Sequence, residues 1–325
     1  MNTASWNNGW TYRDRIGPAQ AGLDLISFYA GRYAHSSAQC WAERLAAGEL
    51  ELNGAPVSAS LPLACGDQLS WRRPPWQEPA VPDQWQVLHD DGDLLVINKP
   101  RGLPVLPAGG FLNHTVLGLL AQRYGEAAPR PVHRLGRFTS GLLVCARQPE
   151  SRAWLSARLR ESSRRAASSD CQNSHCQKIY RALTAPLPQE LEPGQPLAIT
   201  TPIGRRPHPL LGSIWAAALP ADRQALAAAS CLTLLARRAD ACLVEVEISS
   251  GRPHQIRIHT AAIGAPLLGD PLYRADGSCS ATALPGDGGY QLHAQRLRLQ
   301  LPNHTSLELV APPPLGSALA EFDQP

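Results

Sequence analysis

The residues best suited to chemistry in this chain are arginines, histidines and one tyrosine, grouped in three separate stretches. His133, Arg134 and Arg137 open the first, PVHRLGRFTSGLLVCAR, directly before a short apolar run; the others are KIY at 178–180 and GRPHQIR at 251–257. Guanidinium groups bind phosphates through paired hydrogen bonds and stack on bases. A polar loop joined to a buried strand is typical of a rigid binding site, although a basic turn before a core strand has the same pattern. These residue types favour contact with nucleic acid.

Positive charge is concentrated around the first two stretches. Residues 130–181 contain eleven Arg or Lys against three acids, a local balance of +8, whereas the whole chain has a net charge of +3. Residues 1–78 hold six arginines and seven acids, a balance of −1. A GC-rich coding sequence explains the preference for arginine over lysine, but it does not explain the clustering. The clustering indicates an anionic partner.

Alternating and short apolar patterns predict the strands that must carry these loops. The predicted strands cover 86–97, 141–147, 179–184, 229–235, 242–248, 253–259 and 292–300, and helical patterns cover 113–124 and 150–160. Strands that outnumber helices in this arrangement indicate an α+β domain with a mainly antiparallel mixed sheet. The GRPHQIR stretch is thereby predicted to lie on a strand.

Four segments occur together in an order that is typical of one family. They are INKPRG within 89–104, HRLGRFTSG, KIY, and GRPHQIR followed by GAPLLGD. The set resembles the RluA-type family of RNA pseudouridine synthases, whose members carry N-K-P-x-G, H-R-L-D-x-x-T-S-G, K-x-Y and G-R-x-H-Q-I-R. The resemblance implies that the chain isomerises uridine to pseudouridine in structured RNA, ribosomal or transfer. It also implies that the target base is extruded from its stack and that no cofactor is used.

The resemblance assigns roles to individual residues. Tyr180 is the aromatic residue that faces the base, and Arg257 is the cation that holds a carboxylate beside the sugar. RNA contacts are implied for a larger set: His133, Arg134, Arg137, Thr139, Ser140, Lys178, Arg252, His254 and Gln255. Each role has a plainer alternative, since Tyr180 could be a core aromatic and Arg257 could pair with Glu245 or Glu247 on the surface. Asp270 is expected to stabilise a turn.

One position departs from the family pattern. The catalytic aspartate of the family corresponds to Gly136 in this chain. Glycine can be neither nucleophile nor base, and Arg257 would lose its partner, which costs several kcal/mol for a buried cation. Another carboxylate (Asp91, Asp93 or Asp270) could reach the pocket, or Gly136 could be a substitution. The chain could also be a catalytically silent RNA-binding protein on the same fold.

The N-terminal part of the chain has its own pattern. Helical spacing over 22–34 and 36–47 is followed by a strand, a tight Asn53-Gly54 turn and further strands up to residue 71. This part resembles the α-L RNA-binding domain, although an accessory fold without RNA contact remains open. If it binds RNA, Arg32, Arg44, Arg72 and Arg73 are expected to gather on one face. We expect an α-L domain over 1–71, a proline-rich linker over 72–82 and a catalytic domain over 83–325.

Composition limits the remaining classes. No apolar run approaches the roughly 20 residues needed to cross a membrane, and the first residues lack the layout of a signal peptide. The eight cysteines are scattered without a repeating spacing, which indicates reduced thiols. Cys171, His175 and Cys176 have no second ligand pair, so we expect no metal. We expect a cytoplasmic monomer without a cofactor.

Overall fold

The chain divides into two compact units, each of which has its own sheet. The computed structural model describes residues 3–33, 35–165 (backbone only for 161–165), 176–301 and 305–322. The smaller unit comprises Ala4–Glu78 and Pro207–Ser213, and the larger comprises Pro79–Arg206 and residues 214–322. Every helix in the described ranges is too short or too polar to cross a bilayer.

The smaller unit packs two helices against a four-stranded sheet. Its elements are β1 (Ser5–Trp6), β2 (Trp10–Arg15), α1 (Leu25–Arg32), α2 (Ala38–Ala46), β3 (Leu50–Leu52), β4 (Ala55–Pro56), β5 (Gln68–Arg73) and β6 (Gln77–Glu78). The sheet order is β2-β5-β3-β4, and β1 pairs separately with β6. Asp24 and Ser37 cap the two helices by accepting hydrogen bonds from backbone N–H groups of the first turn. Part of the expected linker is therefore strand, since β5 ends at Arg73 and β6 follows.

The arginines of the smaller unit do not share one face. The guanidinium of Arg44 lies over the rings of Trp41 and Trp71, at 4.2 and 4.5 Å. Arg72 forms an ion pair with Glu51 at 2.6 Å. Successive side chains of a strand point to opposite faces, so Arg72 lies on the face opposite Arg73. The gathering of Arg32, Arg44, Arg72 and Arg73 expected from the sequence is therefore wrong.

The larger unit is built on a ten-stranded sheet. Its elements are β7 (Gln86–Asp90), β8 (Leu94–Lys99), α3 (Val116–Tyr124), β9 (Arg130–Pro131), β10 (Thr139–Ala146), α4 (Pro149–Arg165), β11 (Cys176–Thr184), β12 (Pro196–Ile199), β13 (Ile203–His208), β14 (Gly212–Ala217), β15 (Ser230–Arg237), β16 (Cys242–Ile248), α5 (Gln255–Ala262), β17 (Leu292–Gln300), β18 (Ser306–Val310) and α6 (Ala318–Phe322). The sheet order is β12-β15-β16-β11-β17-β10-β8-β7, with β18 on β17 and β9 on β10; β13 and β14 form a separate pair, of which Pro207–Ser213 belongs to the smaller unit. This architecture confirms the α+β class.

One pair in this sheet is parallel, and it fixes the centre of the unit. Strands β10 and β17 run in the same direction with Thr139 opposite Leu292, while the other pairs within the described part of the sheet are antiparallel. Every residue of β10 is buried. Gly141 has φ +105°, and a Cβ there would lie 2.2 Å from the carbonyl oxygen of Ala294. Only glycine permits this close approach of the two strands.

The expected strand at 253–259 is wrong, because this segment begins helix α5. All of Gln255–Ala261 is buried, so the helix has no polar face that would produce a 3.6-residue period. Ile256 and Ile258 alternate with polar residues and imitate a strand. The polar side chains are buried at no large cost because each has hydrogen-bond partners; His259, for example, contacts Ser230 and the Thr201 carbonyl. The expected strand over 86–97 is also two strands, β7 and β8, joined by a turn.

Candidate active site

A pocket of about 140 Å³ lies in the larger unit where the motif-bearing segments meet. Its size is close to that of the roughly 150 Å³ cavities that hold one benzene ring. The lining residues are Arg134, Leu135, Gly136, Thr139, Tyr180, Ile248, Gly251, Arg252, His254, Gln255, Ile256, Arg257, Tyr290 and Leu292. Three of these are arginines and none is an acid. The pocket therefore suits a planar ligand attached to an anionic chain.

Strand order explains why distant segments meet here. The parallel register of β10 and β17 brings the loop before β10 and the residues before β17 to the same end of the sheet. Strand β11 lies on the other side of β17, with Tyr180 opposite Ala294 and Val246. Helix α5 follows β16, the next strand after β11. Gly136, Tyr180, Arg257 and Tyr290 consequently surround one volume.

Arg257 is held by a buried carboxylate. Its Nε and Nη2 donate to the two carboxylate oxygens of Asp270 at 2.7 and 2.8 Å, and the side chains are 3% and 0% exposed. Nη1 donates to the carbonyl of Pro285. Burial alone would lower the pKa of Arg257, but the Asp270 carboxylate outweighs burial and raises it. The expectation that Gly136 leaves this cation unpaired is wrong, as is the surface pairing with Glu245 or Glu247.

Asp270 has a second role in the turn that follows α5. Its Oδ1 also accepts hydrogen bonds from the N–H groups of Leu272 and Tyr273. The expected turn-stabilising function is therefore confirmed, and the same carboxylate orients Arg257. Asp270 itself is not among the residues that line the pocket.

His254 lines the pocket as a neutral imidazole of one tautomer. The Tyr273 hydroxyl donates its only proton to the Trp215 carbonyl at 2.8 Å, so its 2.7 Å contact with Nδ1 of His254 requires an N–H at Nδ1. Burial, followed by the charge of Arg257, lowers the pKa of His254 to about 3. Its Nε2 is therefore a hydrogen-bond acceptor. The left-handed backbone at His254 (φ 54°) places this ring immediately before α5.

Gln255 and Arg252 complete the part of the pocket wall that is formed by the start of α5. The side-chain oxygen of Gln255 accepts from Ser250 and from the N–H of Arg252, and its amide group donates to the Ala229 carbonyl and Ser230. With four hydrogen bonds made inside the protein, Gln255 supports the wall rather than reaching outward. The Nε of Arg252 donates to the Ala227 carbonyl.

Four residues expected at the site lie outside the pocket. The ring of His133 accepts a hydrogen bond from the N–H of Val144, and Ser140 contacts Nδ1 of His293 in the core. Arg137 donates to the Gly102 carbonyl, and Lys178 donates to the Leu159 carbonyl. Burial lowers the pKa of Lys178. These side chains hold the loop and β11 in place around the pocket.

Acidic residues considered as substitutes for a catalytic carboxylate are elsewhere. Asp91 and Asp93 belong to the turn between β7 and β8, where Asp93 accepts hydrogen bonds from the N–H groups of Arg147 and Gln148. Asp91 accepts from the N–H groups of Asp93 and Leu94. No group of three His, Cys, Asp or Glu side chains that could hold a metal occurs in the described ranges; Cys171 and His175 lie outside them.

Tyr290 is a pocket residue that the sequence analysis missed. Its ring is 2% exposed, and the Arg257 guanidinium lies 4.3 Å from its centroid. The sequence marks it only by the two preceding glycines, Gly288 and Gly289. Gly289 has φ +138°, and a Cβ there would lie 2.1 Å from the Gly269 carbonyl oxygen. The close packing of Gly269 against Gly289 fixes the backbone that carries the Tyr290 ring.

Comparisons with known proteins identify the class and the family of this chain, which is that of RNA-modifying isomerases. The family model described as RNA pseudouridylate synthase matches residues 93–262. The chain belongs to this family, whose members form pseudouridine in RNA.

Relatives match over almost the whole chain. An uncharacterized RNA pseudouridine synthase of Synechocystis sp. is 44% identical over 296 residues, which cover 89% of this chain and 94% of the relative. RNA pseudouridine synthase 5 of Arabidopsis thaliana is 35% identical over 351 residues, covering 95% and 94%. The solved structure of human RNA pseudouridylate synthase domain containing 1 has a TM-score of 0.52 at 22% identity, covering 74% of this chain and 89% of that one. The last match supports the fold alone.

Proposed function

We propose that this protein isomerises uridine to pseudouridine in a structured RNA by drawing the target base into the pocket between β10, β11 and α5. The observation that carries the proposal is the meeting of Arg134, Tyr180 and Arg257 at one pocket of about 140 Å³. A base inside a helix is inaccessible at its glycosidic bond, so the nucleotide must leave its stack. Tyr180 provides an aromatic face for the extruded base, and Arg134 and Arg252 provide positive charge for the flanking phosphates.

The chemistry of the pocket fits cleavage of an N-glycosidic bond without a cofactor. When this bond breaks, positive charge develops at C1′ of the sugar and the uracil ring takes up the electron pair. The neutral Nε2 of His254 accepts a hydrogen bond from the uracil N3–H or the ribose hydroxyl. Arg257, fixed by Asp270, keeps its guanidinium at the pocket in one orientation.

Gly136 stands, in this proposal, at the place of the family's catalytic aspartate. Its location in the pocket wall, between Arg134 and Thr139, supports this assignment. In this proposal the protein is an isomerase despite Gly136, because relatives that match 89% and 95% of its length are named RNA pseudouridine synthases. The alternative is a catalytically silent RNA-binding protein, and no specific observation favours it.

The smaller unit serves, in this proposal, as an α-L domain that binds RNA. Arg13 and Arg72 lie on the same face of its sheet and line a common groove. Arginine side chains on one face suit contact with phosphates. The substrate is ribosomal or transfer RNA, and the protein acts as a monomer in the cytoplasm.

The RNA-binding role is tested by the salt dependence of binding. We expect Arg13→Gln/Arg72→Gln to weaken RNA binding and to reduce the slope of log K against log salt by about 1.5, because each lost phosphate contact removes about 0.7–0.9. Arg32→Gln is the control, since this exposed arginine lies on α1 and pairs with Asp14. An unchanged slope in the double variant would rule out this face.

The catalytic role is tested with purified protein and RNA isolated from cells that lack it. Tritium release from RNA labelled at C5 of uridine measures turnover, and chemical tagging of pseudouridine maps the site. We expect turnover at specific uridines and none with Tyr180→Ala. Tight RNA binding without product would establish the silent alternative.

A further inference from the structure

Enzymes that cleave a glycosidic bond commonly place an oxygen with negative charge near C1′, and none of the described residues that line this pocket carries a carboxylate. Glycosidases provide this oxygen from aspartate or glutamate, and in sialidases from tyrosine. The hydroxyl groups at the pocket belong to Thr139, Tyr180 and Tyr290. A threonine alcohol does not ionise in the working range of proteins, so the two tyrosines remain.

Geometry distinguishes the two phenols. An ideal Cβ built on Gly136 would lie 2.6 Å from the Tyr290 Oη and 3.2 Å from the Thr139 Oγ1. The phenolic oxygen of Tyr290 therefore occupies the space into which any side chain at position 136 would project. This hydroxyl can occupy its position only because Gly136 has no side chain. Tyr180 has no such relation to Gly136 and lies across the pocket on β11.

The surroundings of Tyr290 hold its oxygen in this place. The ring packs edge-on against Phe138 at 6.3 Å, and the Arg257 guanidinium covers one face at 4.3 Å. A Cβ on Gly288 would lie 2.3 Å from the ring of Phe138, so the backbone before Tyr290 is also tightly packed. A guanidinium at this distance stabilises negative charge as it develops on the phenolic oxygen.

We propose that the phenolic oxygen of Tyr290 replaces the carboxylate of an aspartate at position 136 and stabilises C1′ of the target uridine during cleavage. This inference rests on the proposed function, and it makes Tyr290 a catalytic residue. Gly136 is then required, because a larger residue would displace the oxygen.

The step balances without any further reactant. The hydroxyl gives its proton to water, and the C1′–N1 bond breaks with its electron pair moving into the uracil ring. The negative Tyr290 oxygen lies beside the positive C1′ while the ring turns. C5 then bonds to C1′ with an electron pair of the uracil anion, C5 loses its proton, and N1 gains one. Tyr290 recovers a proton from water, so the net reaction is an isomerisation.

The first experiment compares single-turnover rates and RNA affinity in Tyr290→Phe, which loses only the hydroxyl. We expect the rate to fall by at least about 100-fold, with RNA affinity within twofold of wild type. Tyr29→Phe is the control, because this tyrosine is 1% exposed in the core of the smaller unit, and its rate is expected to be unchanged.

The second experiment tests whether a carboxylate at position 136 can replace the phenolic oxygen of Tyr290. Gly136→Asp alone is expected to be poorly active, because its Cβ meets the Tyr290 hydroxyl. Gly136→Asp/Tyr290→Phe removes that contact and supplies a carboxylate, so we expect activity to return.

A wild-type enzyme that forms pseudouridine, together with a Tyr290→Phe rate within threefold of it, would overturn this inference alone. A wild-type protein that forms no pseudouridine in any RNA would overturn the proposed function and the inference together.

Discussion

Replacement of Asp270 by asparagine tests whether a buried ion pair holds the pocket together. The substitution preserves shape but replaces one carboxylate oxygen with an NH₂ group. Asparagine can still accept hydrogen bonds from the N–H groups of Leu272 and Tyr273. Its NH₂ group would face the Nε or Nη2 of Arg257, which are also donors. The buried cation would then lack its counter-charge.

The expected loss is large for a single substitution. Both side chains are almost fully buried, at 3% and 0% exposure, and removing one partner of a buried pair costs about 3–5 kcal/mol. Removing both partners costs less than the sum of the two single losses of stability, because no uncompensated charge remains. We therefore expect Arg257→Met/Asp270→Asn to be more stable than the sum of the two single changes predicts, by about 2 kcal/mol or more.

Urea unfolding followed by circular dichroism measures these differences, and hydrogen exchange of peptides from α5 assigns them to this part of the larger unit. Asp276→Asn is the matched control, because Asp276 is exposed and accepts a hydrogen bond from the N–H of Ser278, two residues away. We expect it to change the free energy of unfolding by less than about 0.5 kcal/mol. A loss below about 1 kcal/mol for Asp270→Asn, or additive single changes, would refute the reasoning.

Three other outcomes are expected. Gly141→Ala should destabilise the larger unit by about 2 kcal/mol or more, because the new Cβ would meet the Ala294 carbonyl. Gly92→Ala is the control, since Gly92 also has a positive φ but lies in open space, and it should lower the free energy of unfolding by less. Urea unfolding measures both. Lys99→Met should destabilise the larger unit by about 2 kcal/mol or more and lower the turnover rate. The reason is that the buried Nζ of Lys99 donates to three carbonyls, including that of Arg137 in the pocket loop. Calorimetry measures the loss of stability, and the tritium assay measures the turnover rate. Burial lowers the pKa of several histidines from an ordinary 6.5 to about 3 or 4, so between these pH values the unfolded chain binds more protons than the folded chain. Stability should therefore fall as the pH drops from 6.5 to 4, by up to about 1.4 kcal/mol per pH unit for each histidine. Urea unfolding at pH 7, 6 and 5 would contradict this if the free energy of unfolding stayed constant. These histidines are His133, His254 and His259.

Local signals in the sequence were sufficient for the family, the α+β class and much of the site. Short motifs whose residues are neighbours in the chain, such as GRPHQIR, carry their own order and spacing. The apolar run after Gly141 predicted β10 because a fully buried strand has a continuous apolar pattern. Arg134, Gly136, Tyr180, Arg252, His254 and Arg257 were named from such motifs, and all of them line the pocket.

Contacts between distant segments decided the rest. Helix α5 was mistaken for a strand because burial on all sides removed its periodicity, and only its packing distinguishes the two. The partner of Arg257 depended on how the chain turns after α5. Tyr290 joins Gly136 only because β10 and β17 pair in parallel, which no local pattern specifies. A pairing register between remote strands is a property of the whole sheet, and therefore the position of Tyr290 beside Gly136 became visible only in the tertiary structure.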